Sequence, residues 1–314
     1  MGRQWTLTHG VAAVLALAMH GTHAQGLLAQ ERVAPFRTSI DLVSLSVTVN
    51  NVTQHYVGDL QQDDFVVLEN GVAQQLTFFA KTDVPLALAL LVDSSASMEQ
   101  ALPVAQEAAI GFVRTLASRD MATIVDFDSR VETAQPFTSN LRALEEAVRR
   151  TQAGGSTAMY NAVYIALKEM RKQGAGGDNQ GRRRAIIVLS DGDDTSSLVS
   201  FEELLDAVTE SDTLIYTIGL GIGQPAGTRV DSQQGAFVLK RLAQQTGGRA
   251  FFPKEPKDLA SVYAEIRQEL SRQYSLAYES NSARRNGEWR RITVRVNRPD
   301  VIVRNKLGYF APNK

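Results

Sequence analysis

The side chains with the most chemical promise stand at three places far apart in the chain. The first is Asp93-Ser-Ser95-Ala-Ser97, one carboxylate and two hydroxyls within five residues. The second is Thr157, at the end of the glycine-rich run Gly154-Gly-Ser-Thr157, and the third is Asp191, in Leu189-Ser-Asp-Gly192. Carboxylates and hydroxyls are hard oxygen donors, the ligands preferred by Mg²⁺, Mn²⁺ and Ca²⁺. Asp93, Ser95, Ser97, Thr157 and Asp191 together supply two carboxylates and three hydroxyls, enough for a six-coordinate divalent ion once waters fill the remaining positions. Ser97 also has Gln100 three residues on, the spacing of a helix cap. Capping accounts for Ser97 but not for Asp93 and Ser95.

The rest of the composition narrows the chemistry. The 314-residue chain contains no cysteine, which removes disulfides, thiolate metal sites and cysteine nucleophiles. Of its four histidines, His9, His20 and His23 lie in the first 24 residues, leaving His55. A Ser-His-Asp triad or a histidine-rich zinc site has almost no raw material. A formal net charge of −1 offers no electrostatic footing for nucleic acid or an anionic membrane surface.

The elements that must position these oxygens can be read from the apolar pattern. Pro85 to Val92 is almost wholly apolar, as in a central strand covered on both faces. Arg184 to Ser190 is a second such strand, and Asp93 and Asp191 stand just past the ends of the two. Ligands in an open α/β sheet gather outside the carboxyl ends of its strands, so both carboxylates are expected at one edge, with Thr157 on a loop facing it. Helical periodicity recurs at Leu102–Leu116, Leu141–Arg150 (capped by Asn140), Met159–Met170, Phe201–Val208, Phe237–Gln245 and Leu259–Ser271. Strands are expected at Met121–Phe127, Val131–Phe137 (an edge strand), Thr213–Gly219 and Ala250–Phe252. This alternation predicts an α/β, doubly wound, mostly parallel sheet with helices on both faces.

The flanks read differently. Residues 1–24 have the form of a secretory signal: Arg3, a short apolar run from Val11 to Met19, and a small-residue cleavage site after Ala24. That run is too short to span a bilayer comfortably. Residues 25–38 form a polar lead-in. Residues 39–82 alternate as strands, with a slip near Ser44 in the first, then a hairpin of Phe65–Glu69 and Leu76–Phe79 turning at Asn70-Gly71. Residues 274–314 alternate again at Tyr274–Tyr278, Trp289–Val296 and Val301–Tyr309. The expected organisation is a small β-sandwich-like domain built from 39–82 and 274–314, with an α/β domain at 84–271 inserted between its halves.

The three motifs in this order and spacing resemble the metal-ion-dependent adhesion site of von Willebrand factor type A domains. The resemblance covers residues 84–271, and Ile124-Val-Asp-Phe127-Asp is similar to that family's second strand. Asp64-Phe65, Glu69-Asn70-Gly71, Trp289-Arg290 and Gly308-Tyr309 resemble the flanks of a bacterial secreted group carrying such a domain. The resemblance implies a Rossmann-like fold and metal-dependent protein binding, in which Asp93, Ser95, Ser97, Thr157 and Asp191 hold Mg²⁺ (or Mn²⁺ or Ca²⁺) and a partner's Asp or Glu completes the shell. Ser156, between the glycine pair and Thr157, offers a competing hydroxyl, but Thr157 is better placed relative to the following helix.

The resulting expectation is an exported, non-enzymatic adhesion or scaffold protein, secreted or periplasmic, that binds a protein partner and neither nucleic acid nor, after signal cleavage, the membrane interior. The alternatives are a metal-dependent hydrolase, whose base would have to be Asp126, Asp128, Asp193 or Asp194, and a structural envelope protein whose metal only stabilises the fold. Weaker signals are read blandly. Gly221-Ile-Gly-Gln-Pro-Ala226 is a loop despite its likeness to a dinucleotide fingerprint. Arg171–Arg184 is a solvated basic connection, Asp193-Asp194 caps a turn, and His55 sits in an exposed loop.

Overall fold

The computed structural model of the chain describes residues 42–81, 84–174, 182–191, 193–221, 231–282, 284 and 286–313. The signal segment, the lead-in, Ile222–Ala226 of the glycine-containing loop, Gly192 and residues 175–181 of the basic connection lie outside the described residues.

The first four strands are β1 (Leu42–Asn51), β2 (Phe65–Glu69), β3 (Val72–Gln74) and β4 (Leu76–Lys81). Asn70 and Gly71, at φ 48° and 85°, make the two-residue turn with two left-handed positions that matches the twist of a tight hairpin. That turn pairs Glu69 with Val72, so the partner of β2 is β3 and not the Leu76 segment expected from the sequence. β4 departs instead to a different sheet. The expected slip near Ser44 is also absent. Val43, Leu45, Val47 and Val49 are buried at regular alternation while Leu42 faces outward. The pairing of β1 runs unbroken from Leu42 to Val47.

The α/β unit follows. Its strands are β5 (Leu86–Asp93), β6 (Met121–Phe127), β7 (Val131–Thr138), β8 (Arg183–Ser190), β9 (Thr213–Gly219) and β10 (Ala250–Phe251). Its helices are α1 (Leu102–Val113), α2 (Leu141–Arg150), α3 (Met159–Gly174), α4 (Phe201–Thr209), α5 (Asp231–Thr246) and α6 (Leu259–Leu270). The sheet order is β10-β9-β8-β5-β6-β7, parallel except for the antiparallel edge strand β7. Every residue of β5 is buried, as its unbroken apolar run requires of a strand covered on both faces. Leu86, Leu88, Leu90 and Val92 pack with side chains of α1, α2 and α6 on one face. Ala87, Ala89 and Leu91 pack with side chains of α3, α4 and α5 on the other. Among the described residues no helix is long and apolar enough to cross a membrane.

The last strands are β11 (Tyr274–Glu279), β12 (Trp289–Val296), β13 (Val301–Arg304) and β14 (Gly308–Phe310). They complete two four-stranded sheets with strands from the other side of the α/β unit, in the orders β13-β1-β11-β4 and β14-β12-β2-β3. The segment read as a single strand, Val301–Tyr309, is two strands because the chain crosses between sheets. β13 pairs with β1, and after Asn305–Leu307 β14 pairs with β12.

Two buried carboxylates hold this second layer together. Glu69 accepts hydrogen bonds from Tyr278 Oη (2.8 Å), Ser280 Oγ (2.7 Å), Tyr309 Oη (2.9 Å) and the buried Arg290 Nη1 (3.2 Å). Glu269, fully buried on α6, accepts from Tyr216 Oη of β9 at 2.9 Å and Tyr56 Oη at 3.1 Å, and pairs with Arg304 Nη2 of β13 at 2.7 Å. Gln273 Nε2 then donates to both Thr48 Oγ1 (3.1 Å) and Tyr216 Oη (2.9 Å). The Glu269 network therefore spans the seam between the α/β unit and the sandwich.

Removing one partner of a buried ion pair leaves a charge without compensation and typically costs about 3–5 kcal/mol. Arg290→Leu should lower stability by that order in a urea titration, and adding Glu69→Gln should return part of the loss. A loss of about 1 kcal/mol or less, the size of an exposed pair, would show that the three hydroxyl donors alone satisfy Glu69.

Candidate functional site

Three loops meet at the carboxyl edge of the parallel sheet. The first leaves β5 at Asp93. Leu86 to Val92 are aliphatic and wholly covered, so Asp93 emerges into a buried environment and is itself 0% exposed. Its Oδ1 accepts from Ser95 N at 2.9 Å, closing a short turn, and its Oδ2 accepts from Ser190 Oγ at 2.5 Å. Ser95 Oγ and Ser97 Oγ lie 3.1 Å apart. Ser97 does not cap α1. That helix begins at Leu102 behind Ala101, with no side-chain cap bond, and the Ala96–Met98 turn before it has none either. Ser97 is exposed at the edge and Ser95 is buried behind it.

The second loop is tied to the first by backbone bonds: Gly154 N donates to Ser94 O at 2.7 Å and Ala96 N to Gly155 O at 3.1 Å. Gly155 takes φ +70°, and a Cβ there would lie 3.0 Å from Ser129 Oγ and 3.1 Å from Asp128 Oδ2, so a side chain would be both strained and crowded. Thr157 is buried, whereas Ser156 is exposed.

The third loop follows β8 and clasps the second. Thr157 N donates to Thr195 Oγ1 at 3.0 Å, while Thr195 N and Ser196 N donate to Thr157 O at 2.9 and 3.0 Å. Asp194 Oδ2 accepts from Tyr160 N at 2.8 Å and so caps the start of α3, while its Oδ1 accepts from Ser197 N. Asn161 Oδ1 accepts from Leu198 N and Val199 N. Thr157 is thus pinned through its backbone on both sides. Ser190, Thr195 and Asn161 went unread in the sequence because they act through partners 36 or more positions away, and Ser197 because it joins Asn161 to the nearby Asp194. The only local signal was the density of hydroxyl and amide residues after Asp191.

The electrostatics follow from burial. Desolvation pushes the Asp93 carboxyl from the ordinary 3.8 up to about 6, against the bonds from Ser190 and Ser95, and the nearby Asp191 charge adds to the rise. Among the described residues, Asp191 Oδ1 is buried without a hydrogen-bond partner, as are Asp126 Oδ1 and Ser196 Oγ. Burial also raises the Asp126 carboxyl, with Asp128 and Glu132 adding to it. Asp128 Oδ1 is engaged by Arg130 N at 2.7 Å. No group of three or more His, Cys, Asp or Glu converges among the described residues, so any cation bound by them would need further oxygen ligands such as hydroxyls, carbonyls or waters. The donor set at this edge fits such an ion. It offers hard oxygens only, two carboxylates close enough to repel, and a buried carboxylate oxygen with no donor among the described residues.

Residues 88–193 match the family model described as the von Willebrand factor type A domain. Among curated relatives, a UPF0353 protein of Mycolicibacterium paratuberculosis is 25% identical over 198 residues, covering 58% of this chain and 59% of that protein. The chain thus spans less than two thirds of that relative's length. A UPF0353 protein of Mycobacterium sp. (strain KMS) is 24% identical over 275 residues, 82% of each. Among solved structures, a von Willebrand factor type A protein from Catenulispora acidiphila superposes with a TM-score of 0.51 at 14% identity, covering 87% of this chain and 75% of that one. At that identity the likeness is one of fold.

A carboxyl raised by burial favours its neutral form in the folded state, so ionising it costs stability. The cost is absent below the ordinary carboxylate value, grows between pH 4 and 6, and is constant above. In chelator at pH 7.5, Asp93→Asn should therefore stabilise the protein by on the order of 2–3 kcal/mol, with the advantage shrinking as pH falls from 6 towards 4. Thermal unfolding across that range checks it, and a destabilised variant at pH 7.5 would show that Asp93 is held by bonds that outweigh its desolvation.

Proposed function

From a chain whose residues 88–193 form a von Willebrand factor type A domain, we propose an exported protein-binding module that captures a partner's carboxylate through a divalent cation held by Asp93, Ser95, Ser97, Thr157 and Asp191. The observation that carries this reading is the buried, unpartnered Asp191 Oδ1 beside Asp93, a carboxyl raised to about 6. Buried charged oxygens without partners are costly, and a cation is the group that would satisfy both carboxylates at once.

When bound, the ion supplies an electrophilic position open to an acidic side chain from outside. The chain's own residues do the rest. Ser190 Oγ and Ser95 N hold the Asp93 carboxylate in place. The clasp of Thr195 on Thr157 holds the second loop to the third. Ser97, exposed at the edge, faces the approach of a partner. Mg²⁺ is the ion assigned here, with Mn²⁺ and Ca²⁺ as substitutes, since all three take oxygen ligands. The export reading rests on the leader-like composition of residues 1–24 alone.

A binding role is favoured over hydrolysis because the carboxylates nearest the edge are engaged: Asp194 caps α3 and Asp128 holds Arg130 N. Asp126 is where a hydrolase would find its base, and it distinguishes the two readings.

Titration calorimetry with Mg²⁺ and Mn²⁺ should give saturable binding that Asp93→Ala and Asp191→Ala each weaken at least a hundredfold while the far-ultraviolet spectrum stays native. Partner capture from envelope extract should require the ion, vanish with Asp93→Ala and persist with Asp126→Asn. Unchanged ion affinity in both alanine variants would remove the five-residue site. Ion-dependent turnover lost with Asp126→Asn would replace binding by catalysis.

A further inference from the structure

At the opposite edge of the same sheet lies a second site with different chemistry. β8 opens with Arg183-Arg184 and β9 with Thr213, so this edge is separated from Asp191 by the length of β8, roughly 25 Å at the rise of a strand. Here the amino ends of the parallel strands face the outer surface of β13-β1-β11-β4 across a cleft of about 350 Å³.

The sandwich wall of the cleft is hollow because its outward side chains are small. Ser44 stands opposite Ala277, and Ser46 opposite Ser275, in the β1–β11 register. The next outward residues are large and uncovered: Leu42 on β1 is 58% exposed and Phe78, paired with Ala277, is 48% exposed. The hydroxyls of Ser44, Ser46 and Ser275 have no hydrogen-bond partner among the described residues.

The other wall is cationic. Arg182, Arg183, Arg184 and Lys306 line the cleft with a single carboxylate, Asp212. Asp212 is shared, lying 2.5 Å from Lys306 Nζ and 3.7 Å from Arg184 Nη2. Two cations on one carboxylate leave a positive charge beside an apolar hollow. Arg183 adds another, its guanidinium donating to Leu270 O at 2.6 Å and Gln273 Oε1 at 3.3 Å.

An apolar cavity of a few hundred Å³ with a few convergent polar groups is the usual form of a small-molecule site. We propose that this cleft binds an amphipathic monocarboxylate of the fatty-acid type, its head at the Arg184–Asp212–Lys306 cluster and its apolar body against Leu42 and Phe78. The charge sets the sign of the head, the exposed Leu42 and Phe78 call for the tail, and the serines supply hydroxyls for the head. The proposal is independent of the metal edge.

The test is calorimetric titration of the full chain with sodium dodecanoate below its micellar concentration, beside dodecyltrimethylammonium, with circular dichroism to confirm folding. Two variants are used: Arg184→Gln, which removes a cation, and Ser44→Phe, which fills the hollow from an exposed strand position that tolerates an aromatic residue. Dodecanoate should bind one per chain, each variant should raise its Kd at least tenfold, and the cationic amphiphile should give no saturable binding. Equal binding of the two amphiphiles, or a Kd unmoved by both variants, would overturn the proposal. So would tighter binding of a pentapeptide with an apolar final residue and a free carboxylate, which would make the cleft a peptide site. Should Arg184→Gln fail to fold, Ser44→Phe decides alone.

Discussion

A carboxylate at the end of a strand covered on both faces is the constraint from which the rest of this molecule is arranged. β5 must be apolar throughout to sit at the centre of the sheet, yet it ends in Asp93, which is fully buried and costly to ionise. The neighbouring features moderate that cost. Ser190 at the end of the adjacent strand and the backbone of Ser95 donate to the carboxylate. The glycine-rich loop closes over the same edge through backbone bonds, leaving its side-chain hydroxyls unused by the loop itself. On the proposed reading, a cation would relieve this charge, so the cost of the bare carboxylates and the affinity for the ion would share one origin.

The parts of this arrangement that follow from strand chemistry were legible in the sequence. An unbroken aliphatic run followed by Asp marks the end of a covered strand, and two such runs separated by helical periods give the parallel sheet and the common edge. What was not legible depends on partners far along the chain. Thr195, Asn161 and Ser190 are ordinary hydroxyl and amide residues until their partners in the glycine-rich loop, in the loop after β8 and on β5 are known. Glu269 reads as one more polar residue on an amphipathic helix, because nothing local tells that Tyr56, Tyr216 and Arg304 converge on it. The misread strands have a shared cause as well. Alternation marks the faces of a strand but not the sheet it joins, so pattern alone assigned Leu76–Phe79 as the partner of β2 in place of β3 and left β13 and β14 undivided.

The sandwich shows a different use of buried charge. Glu69 and Arg290 lie in a core otherwise lined by Val43, Leu45, Val67, Tyr274 and Ile292, and two tyrosine hydroxyls and a serine complete the set of donors. The residues that looked like family flanks in the sequence, Glu69-Asn70-Gly71, Trp289-Arg290 and Gly308-Tyr309, are therefore largely one hydrogen-bonded cluster joining β2, β12 and β14. A cluster of this kind specifies which strands are neighbours more than it adds net stability.

The way the α/β unit is inserted has a mechanical consequence. The chain leaves the sandwich after β4 and returns at β11, and these strands are paired there, Lys81 opposite Tyr274. Tension between the segments before β1 and after β14 is thus carried by the sandwich ladders, while the inserted unit joins the chain at two adjacent points and is held to the sandwich by the Glu269 network. A pull along the chain would have to part the β4–β11 pair before it stretched any strand of the central sheet. The carboxyl edge of the central sheet would keep its shape under a load that already strains the sandwich supporting it.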